Sequence, residues 1–126
     1  MIEVCRIDVE FYKKVNPDIQ TDIVIITEER IEHIKDHHPN DYERFGKYFP
    51  QILTDPDFII EGKWKNTAMV LKEIIEENER LRLILKIKTS SDPAEFQNSI
   101  TSFHKINDKE WRRLSRNKKI LYKRDN

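Results

Sequence analysis

Between Leu81 and Lys88 the chain alternates with a period of two: Leu81, Leu83, Leu85 and Ile87 share one side, and Arg82, Ile84, Lys86 and Lys88 the other. Successive side chains of a strand point to opposite faces of a sheet. The stretch therefore reads as a strand whose leucine face packs on helices and whose other face presents cations. Whatever fold this chain adopts must supply a helical layer on one side of that strand and accommodate positive charge on the other.

The neighbouring segments build a sheet around it. After the turn signal Thr54-Asp55-Pro56-Asp57, strands are expected over residues 58–64, 67–75, 81–88 and 99–106, with Glu76-Glu77-Asn78-Glu79 as a charged hairpin turn and Thr89-Ser90-Ser91-Asp92-Pro93 as a longer loop. Residues 2–12 alternate in part and read as a further strand, broken at Asn16-Pro17-Asp18. The β-branched run over 22–26 leads into Thr27, whose hydroxyl can cap a helix over 28–37, with Glu28 and Glu29 well placed in its first turn. That helix should stop at His38-Pro39, because proline disfavours a helical conformation in the residue before it. Asn40 or Asp41 can cap a second helix, where Tyr42, Phe45, Tyr48 and Phe49 form an aromatic stripe suited to core packing and Pro50 marks a kink or a tightened turn. Near the other end, Asn107 and Glu110 resemble a capping box and open a helix over 107–117 containing Trp111 and Leu114. The expected architecture is α+β: N-terminal helices packed on a four- or five-stranded antiparallel sheet, with a basic C-terminal helix. One domain over 1–126, with a core over about 23–117, fits a chain of this length.

Composition narrows the chemistry. The chain is 37% hydrophobic and 37% charged, which suits a packed domain with a heavily charged surface. No run approaches the roughly 18 apolar residues of a membrane span. The first residues lack the basic and apolar regions of a secretory signal, so the cytoplasm is the expected compartment. With only Gly46 and Gly62, no glycine-rich phosphate loop can be assembled, and nucleotide hydrolysis of that type is excluded. A single Cys5 allows neither an internal disulfide nor a thiolate cluster. The net charge of zero conceals an asymmetry: residues 103–126 contain nine Lys or Arg against three acids, a surplus of six that the remainder balances. Such a basic end can follow a phosphate backbone, since each neutralised phosphate releases counterions, or it can be a solvated helix and tail.

Arg30, His33 and His37 fall within an arc of about 60° on the first long helix, beside the apolar arc of Ile31 and Ile34. Imidazole titrates nearest neutrality, so a histidine here can remove and return a proton, a role that contributes roughly 10²- to 10⁴-fold in rate. Arg30 can hold a phosphate. Across the sheet, Lys86 and Lys88 can neutralise a phosphorane-like transition state, and Thr101 or Ser102 can hydrogen-bond a non-bridging oxygen. RNA suits this set without a metal, because its own 2′-hydroxyl is the nucleophile. Two further readings remain open. His33 and His37 have the i, i+4 spacing for zinc, with His104, Asp36 or a glutamate as third ligand, although Ile34 stands where a metalloprotease helix carries Glu. The histidines can equally be helix-terminal surface residues interacting with the helix dipole.

Four stretches together resemble a known family: Glu29-Arg30-Ile31-Glu32-His33-Ile34-Lys35-Asp36-His37-His38-Pro39, Ile52-Leu53-Thr54-Asp55-Pro56-Asp57-Phe58-Ile59-Ile60, Arg82-Leu83-Ile84-Leu85-Lys86-Ile87-Lys88 and Asn98-Ser99-Ile100-Thr101-Ser102-Phe103. In order and spacing they are similar to the phage-associated barnase/EndoU/colicin/RelE-like nuclease domains (the BECR fold). The resemblance implies a metal-independent endoribonuclease that leaves a 2′,3′-cyclic phosphate, tRNA being one target, from a phage, mobile element or toxin system. It matches the family's His-Ile to His33-Ile34 and its His-Pro to His38-Pro39, with His37 where another polar residue is usual. The family threonine falls on Thr101, and Lys86 on the basic strand. The implied catalytic set is His33, His38, Lys86 and Thr101. Arg30, His37, Lys88, Ser102 and Arg112 would bind substrate, the last from the basic helix. RNA is the expected partner and a cognate inhibitor protein a second one; no cofactor, metal or membrane is expected. The alternative is a non-catalytic RNA- or protein-binding module on the same fold.

Overall fold

The alternating stretch forms β5 (Glu79–Lys86), the middle strand of a seven-stranded sheet in the computed structural model, which describes residues 1–116 and 119–125. Ahead of it come β1 (Ile2–Arg6), α1 (Val9–Tyr12), β2 (Ile23–Ile26), α2 (Glu28–His37), α3 (Asp41–Phe45), α4 (Phe49–Thr54), β3 (Phe58–Glu61) and β4 (Thr67–Ile74). β6 (Asn98–Ile106), α5 (Asp108–Leu114) and β7 (Ile120–Lys123) follow. The strand order is β1-β2-β6-β5-β4-β3-β7.

Three expectations need correction. The sheet has seven strands rather than four or five, and it is mixed, because β2 runs parallel to β6 through Val24↔Asn98 and Ile25↔Ser99. Asn98 stabilises that junction from a fully buried position. Its Nδ2 donates to the Thr21 carbonyl and its Oδ1 accepts from the Lys88 N–H, so both polar atoms of its own side chain are paired where three segments meet. The partial alternation over 2–12 ends at Arg6: Asp8 accepts a hydrogen bond from the Glu10 N–H and caps α1, which buries Tyr12. The single helix expected through Phe49 is instead α3, a short 3-10 turn and α4; the chain tightens just ahead of Pro50, which sits in the first turn of α4, where its missing N–H costs nothing.

The C-terminal expectation also shifts. Asn107 caps α5 through the Glu110 N–H as the spacing predicts, but the helix ends at Leu114 and Asn117 lies outside the described residues. Asp108 and Glu110 offset much of the charge of Lys109, Arg112 and Arg113 within α5. The chain then continues as β7, which pairs with β3 at the sheet edge, so the helix is not terminal.

The leucine face of β5 is fully buried and joins Ile31, Ile34, Phe45, Phe49, Ile52 and Leu53 of the N-terminal helices in the main core. Each such side chain contributes roughly 1.5–3 kcal/mol of burial. A second cluster, Ile60, Leu71, Ile106 and Leu114 with Trp111, lies on the opposite face: Ile59 and Val70 belong to the main core, and their neighbours Ile60 and Leu71 must point the other way. α5 thus covers one end of the outer face.

Candidate functional site

Beyond the end covered by α5, the outer face of β4, β5 and β6 is the floor of a cleft of about 460 Å³, formed by Thr67, Met69, Arg82, Ile84, Lys86, Thr101 and Ser102. Arg30 and His33 of α2 make one wall, and Lys63, Trp64 and Lys65, in the turn between β3 and β4, make the other. The α2 wall follows from local chemistry. Thr27 Oγ1 accepts the Arg30 N–H at 3.2 Å and starts the helix, and Ile31 and Ile34 commit one side of it to the core. Arg30 and His33, on the flank, are left facing the cleft.

The floor depends on a β-bulge. Ile84 pairs with Ser102 and Leu85 with Ile100, so Thr101 is an extra residue on β6. Strict alternation would bury one of Thr101 and Ser102; the bulge lets both face the cleft while Ile100 and Phe103 stay buried, which is how bulges re-aim side chains beside functional sites.

Arg82 stands at the end of the floor nearest α5, directly across from His104 in register. Its Nη1 donates to His104 Nε2 at 2.7 Å, and His104 Nδ1 donates to the Lys105 carbonyl at 2.8 Å. Burial, then the Arg82 and His38 charges, hold the His104 imidazole below its usual range against the raising effect of the Lys105 carbonyl. His104 is therefore the neutral acceptor that aims the guanidinium. His38 stacks on it, with ring centroids 4.2 Å apart.

Of the residues singled out in the sequence, Arg30, His33, Lys86, Thr101 and Ser102 meet in the cleft. The others stand elsewhere. His37 donates from Nδ1 to the His33 carbonyl at 2.9 Å, its ring beside that of His33, and His38 lies against His104. Lys88 follows β5, where its backbone joins Gln20 and Asn98. Arg112 is exposed on α5. Sequence reasoning passed over Arg82, Lys63, Trp64 and Lys65. The signal for the last three was present, an aromatic residue between two lysines next to a glycine, but nothing local shows that the turn folds over the floor of β4 and β5.

Five Lys or Arg line the cleft, and none of its described lining residues is acidic. Lys86 lies 3.7 Å from Asp92, whose carboxyl is held below its usual range first by the Thr89 N–H and then by Lys86. Among the described residues, Arg30, Lys63, Lys65 and Arg82 form no close ion pair with a carboxylate, although the Glu110 charge reaches Arg82. Hollows beside α5 are of mixed charge, one lined by Asp57, Glu73, Lys72 and Lys123 and another by Glu73, Glu79, Asp108 and Arg80. In a chain of zero net charge, the cleft is thus a local concentration of positive potential, which favours a polyanion. Among the described residues no three His, Cys, Asp or Glu converge to ligate a metal. Cys5 is half-buried, and burial, then Glu3, pushes its thiol up to about 11, away from nucleophilic use.

No curated protein and no solved structure gives a significant match to the chain. A family profile described as phage-Barnase-EndoU-ColicinE5/D-RelE like nuclease2 matches residues 8–123, which include both walls and the whole floor of the cleft. The α+β fold, the cation-lined cleft and this match over nearly the full chain agree: the protein belongs to the phage Barnase-EndoU-ColicinE5/D-RelE-like nuclease family.

Proposed function

We propose that the protein is a metal-independent endoribonuclease. The observation that carries this reading is the meeting of His33, two strand hydroxyls and five Lys or Arg side chains around one cleft with no acidic lining residue among those described. An RNA phosphate seated on Arg82, Lys86 and Arg30 has its negative charge matched, and the match improves as a dianionic phosphorane develops. Thr101 and Ser102 donate to the non-bridging oxygens. His33 takes the proton of the 2′-hydroxyl, whose oxygen attacks the adjacent phosphorus. The bond to the 5′-oxygen breaks, and that oxygen leaves with a proton from water, while His33 returns its own proton to solvent. The products are a 2′,3′-cyclic phosphate and a 5′-hydroxyl. Phage, mobile-element or toxin systems are the setting this activity fits, with a cytoplasmic RNA target.

One observation favours a second reading, a binding module that has lost catalysis: His33 is the one imidazole lining the cleft among the described residues, while His38 is stacked against His104. The test is incubation of the chain and its His33→Ala variant with end-labelled total RNA and a tRNA pool, with and without excess chelator, followed by end-group analysis. His33 is exposed, so its removal leaves the core intact. Cuts that survive the chelator, end in cyclic phosphate and fall by roughly 10²-fold or more in the variant support the ribonuclease. Intact RNA with retained binding supports the second reading.

A further inference from the structure

Trp64 is 70% exposed at the edge of the cleft, whereas the other tryptophan, Trp111, packs against Phe58 and Arg80. An indole left in water needs a reason, and its surroundings supply one. Its position is set by the backbone: the Gly62 N–H donates to the Thr67 carbonyl at 2.9 Å, and the Thr67 N–H returns to the Trp64 carbonyl at 3.2 Å. Asn66, at φ 61°, accepts the Ile87 N–H at 2.8 Å and the Asn16 Nδ2 at 2.7 Å, which ties the turn to two other segments. The ring is therefore presented in advance, and little ordering entropy is lost when it is used. Lys63 Nζ lies 5.3 Å from the ring centroid, and Lys65 follows on the same turn.

We infer that Trp64 is a stacking platform for an unpaired base, with Lys63 and Lys65 holding the flanking phosphates, so that RNA enters the cleft as a single strand. The identity of the ligand rests on the nuclease reading given above. An aromatic face between cations is the pairing by which single strands are held, because every base offers a π-face and every nucleotide a phosphate. A duplex hides those faces within its own stack and gives the indole nothing to cover.

The test uses the full chain and a labelled single-stranded RNA carrying 2′-O-methyl groups, which block attack by the 2′-oxygen, free and annealed to its complement. Anisotropy gives affinity and indole emission reports stacking. The single strand should bind wild type with quenched emission. Trp64→Ala should weaken that binding roughly 5- to 100-fold, and Trp64→Phe should restore most of it while abolishing the quench. Duplex binding should be weaker and unaffected by either variant. Equal single-strand affinity in wild type and Trp64→Ala, or equal losses on single strand and duplex, overturns the platform. Cleavage of unmodified RNA is scored separately. A raised KM with little change in kcat in Trp64→Ala supports the platform, and an unchanged KM overturns it while leaving the ribonuclease intact. Binding as described without any cleavage keeps the platform and refutes the ribonuclease.

Discussion

Replacing Lys65 with Gln removes one of the five Lys or Arg side chains that line the cleft. The proposed complex holds three phosphates, one on Arg82, Lys86 and Arg30 together and one each on Lys63 and Lys65. Each phosphate neutralised on a single strand contributes about −0.7 to the slope of log affinity against log salt concentration, so three give a slope of about −2.1. Between about 50 and 200 mM salt, affinity should then fall about 20-fold, or about 1.7 kcal/mol, in wild type and only about 7-fold in Lys65→Gln. Anisotropy titrations of non-cleavable RNA at four salt concentrations measure both slopes. Arg112→Gln is the contrast, since Arg112 is exposed on α5 outside the cleft lining, and its slope should equal that of wild type. If Arg112→Gln flattens the slope and Lys65→Gln does not, RNA follows the basic C-terminal region and the electrostatic assignment of the cleft is wrong.

His104 makes stability depend on pH. Burial first, and then Arg82 and His38, lower its folded value below the ordinary 6.5, so in the window beneath 6.5 the unfolded chain holds a proton that the folded chain lacks. Its contribution is complete above that value and is lost as pH falls, until the depressed folded value is reached. Thermal melts from about pH 7.5 to 5 should therefore show a decline that is shallower in His104→Gln, and parallel profiles would refute it. Gly62→Ala tests the turn that carries Trp64. A Cβ there would lie 2.8 Å from the Thr67 carbonyl oxygen and 2.9 Å from its carbon, closer than side chains tolerate. Denaturant unfolding should show a loss of about 1–3 kcal/mol, with weaker single-strand RNA binding in the variant that remains folded. An unchanged midpoint would show that the turn is looser than its hydrogen bonds indicate.

Local chemistry carried much of this molecule. The period of β5, the Thr27 cap and Pro39 stop of α2, the Asn107 cap of α5 and the polar turn at residues 76–79 depend on neighbours a few positions away, and each was legible in order along the chain. So was the family resemblance. The same locality brought Arg30, His33, Lys86, Thr101 and Ser102 forward as chemical groups, because a helix flank and a strand face can be read from spacing.

Long-range pairing decided the rest. That β2 lies parallel to β6, that β7 returns to β3, and that the sheet reaches seven strands depend on contacts between segments tens of residues apart, which no local propensity encodes. Register set Arg82 against His104 and turned a cation of the outer face into one aimed at the cleft. The bulge at Thr101 brought two hydroxyls to one side, and the fold of the turn after β3 placed Lys63, Trp64 and Lys65 across from His33. The sequence by itself determined which faces are apolar and which charged, since side-chain chemistry and backbone period suffice for that. Only tertiary structure decided which charged faces meet, because a binding cleft is a relation between distant segments whose geometry is set by the packing of the whole core.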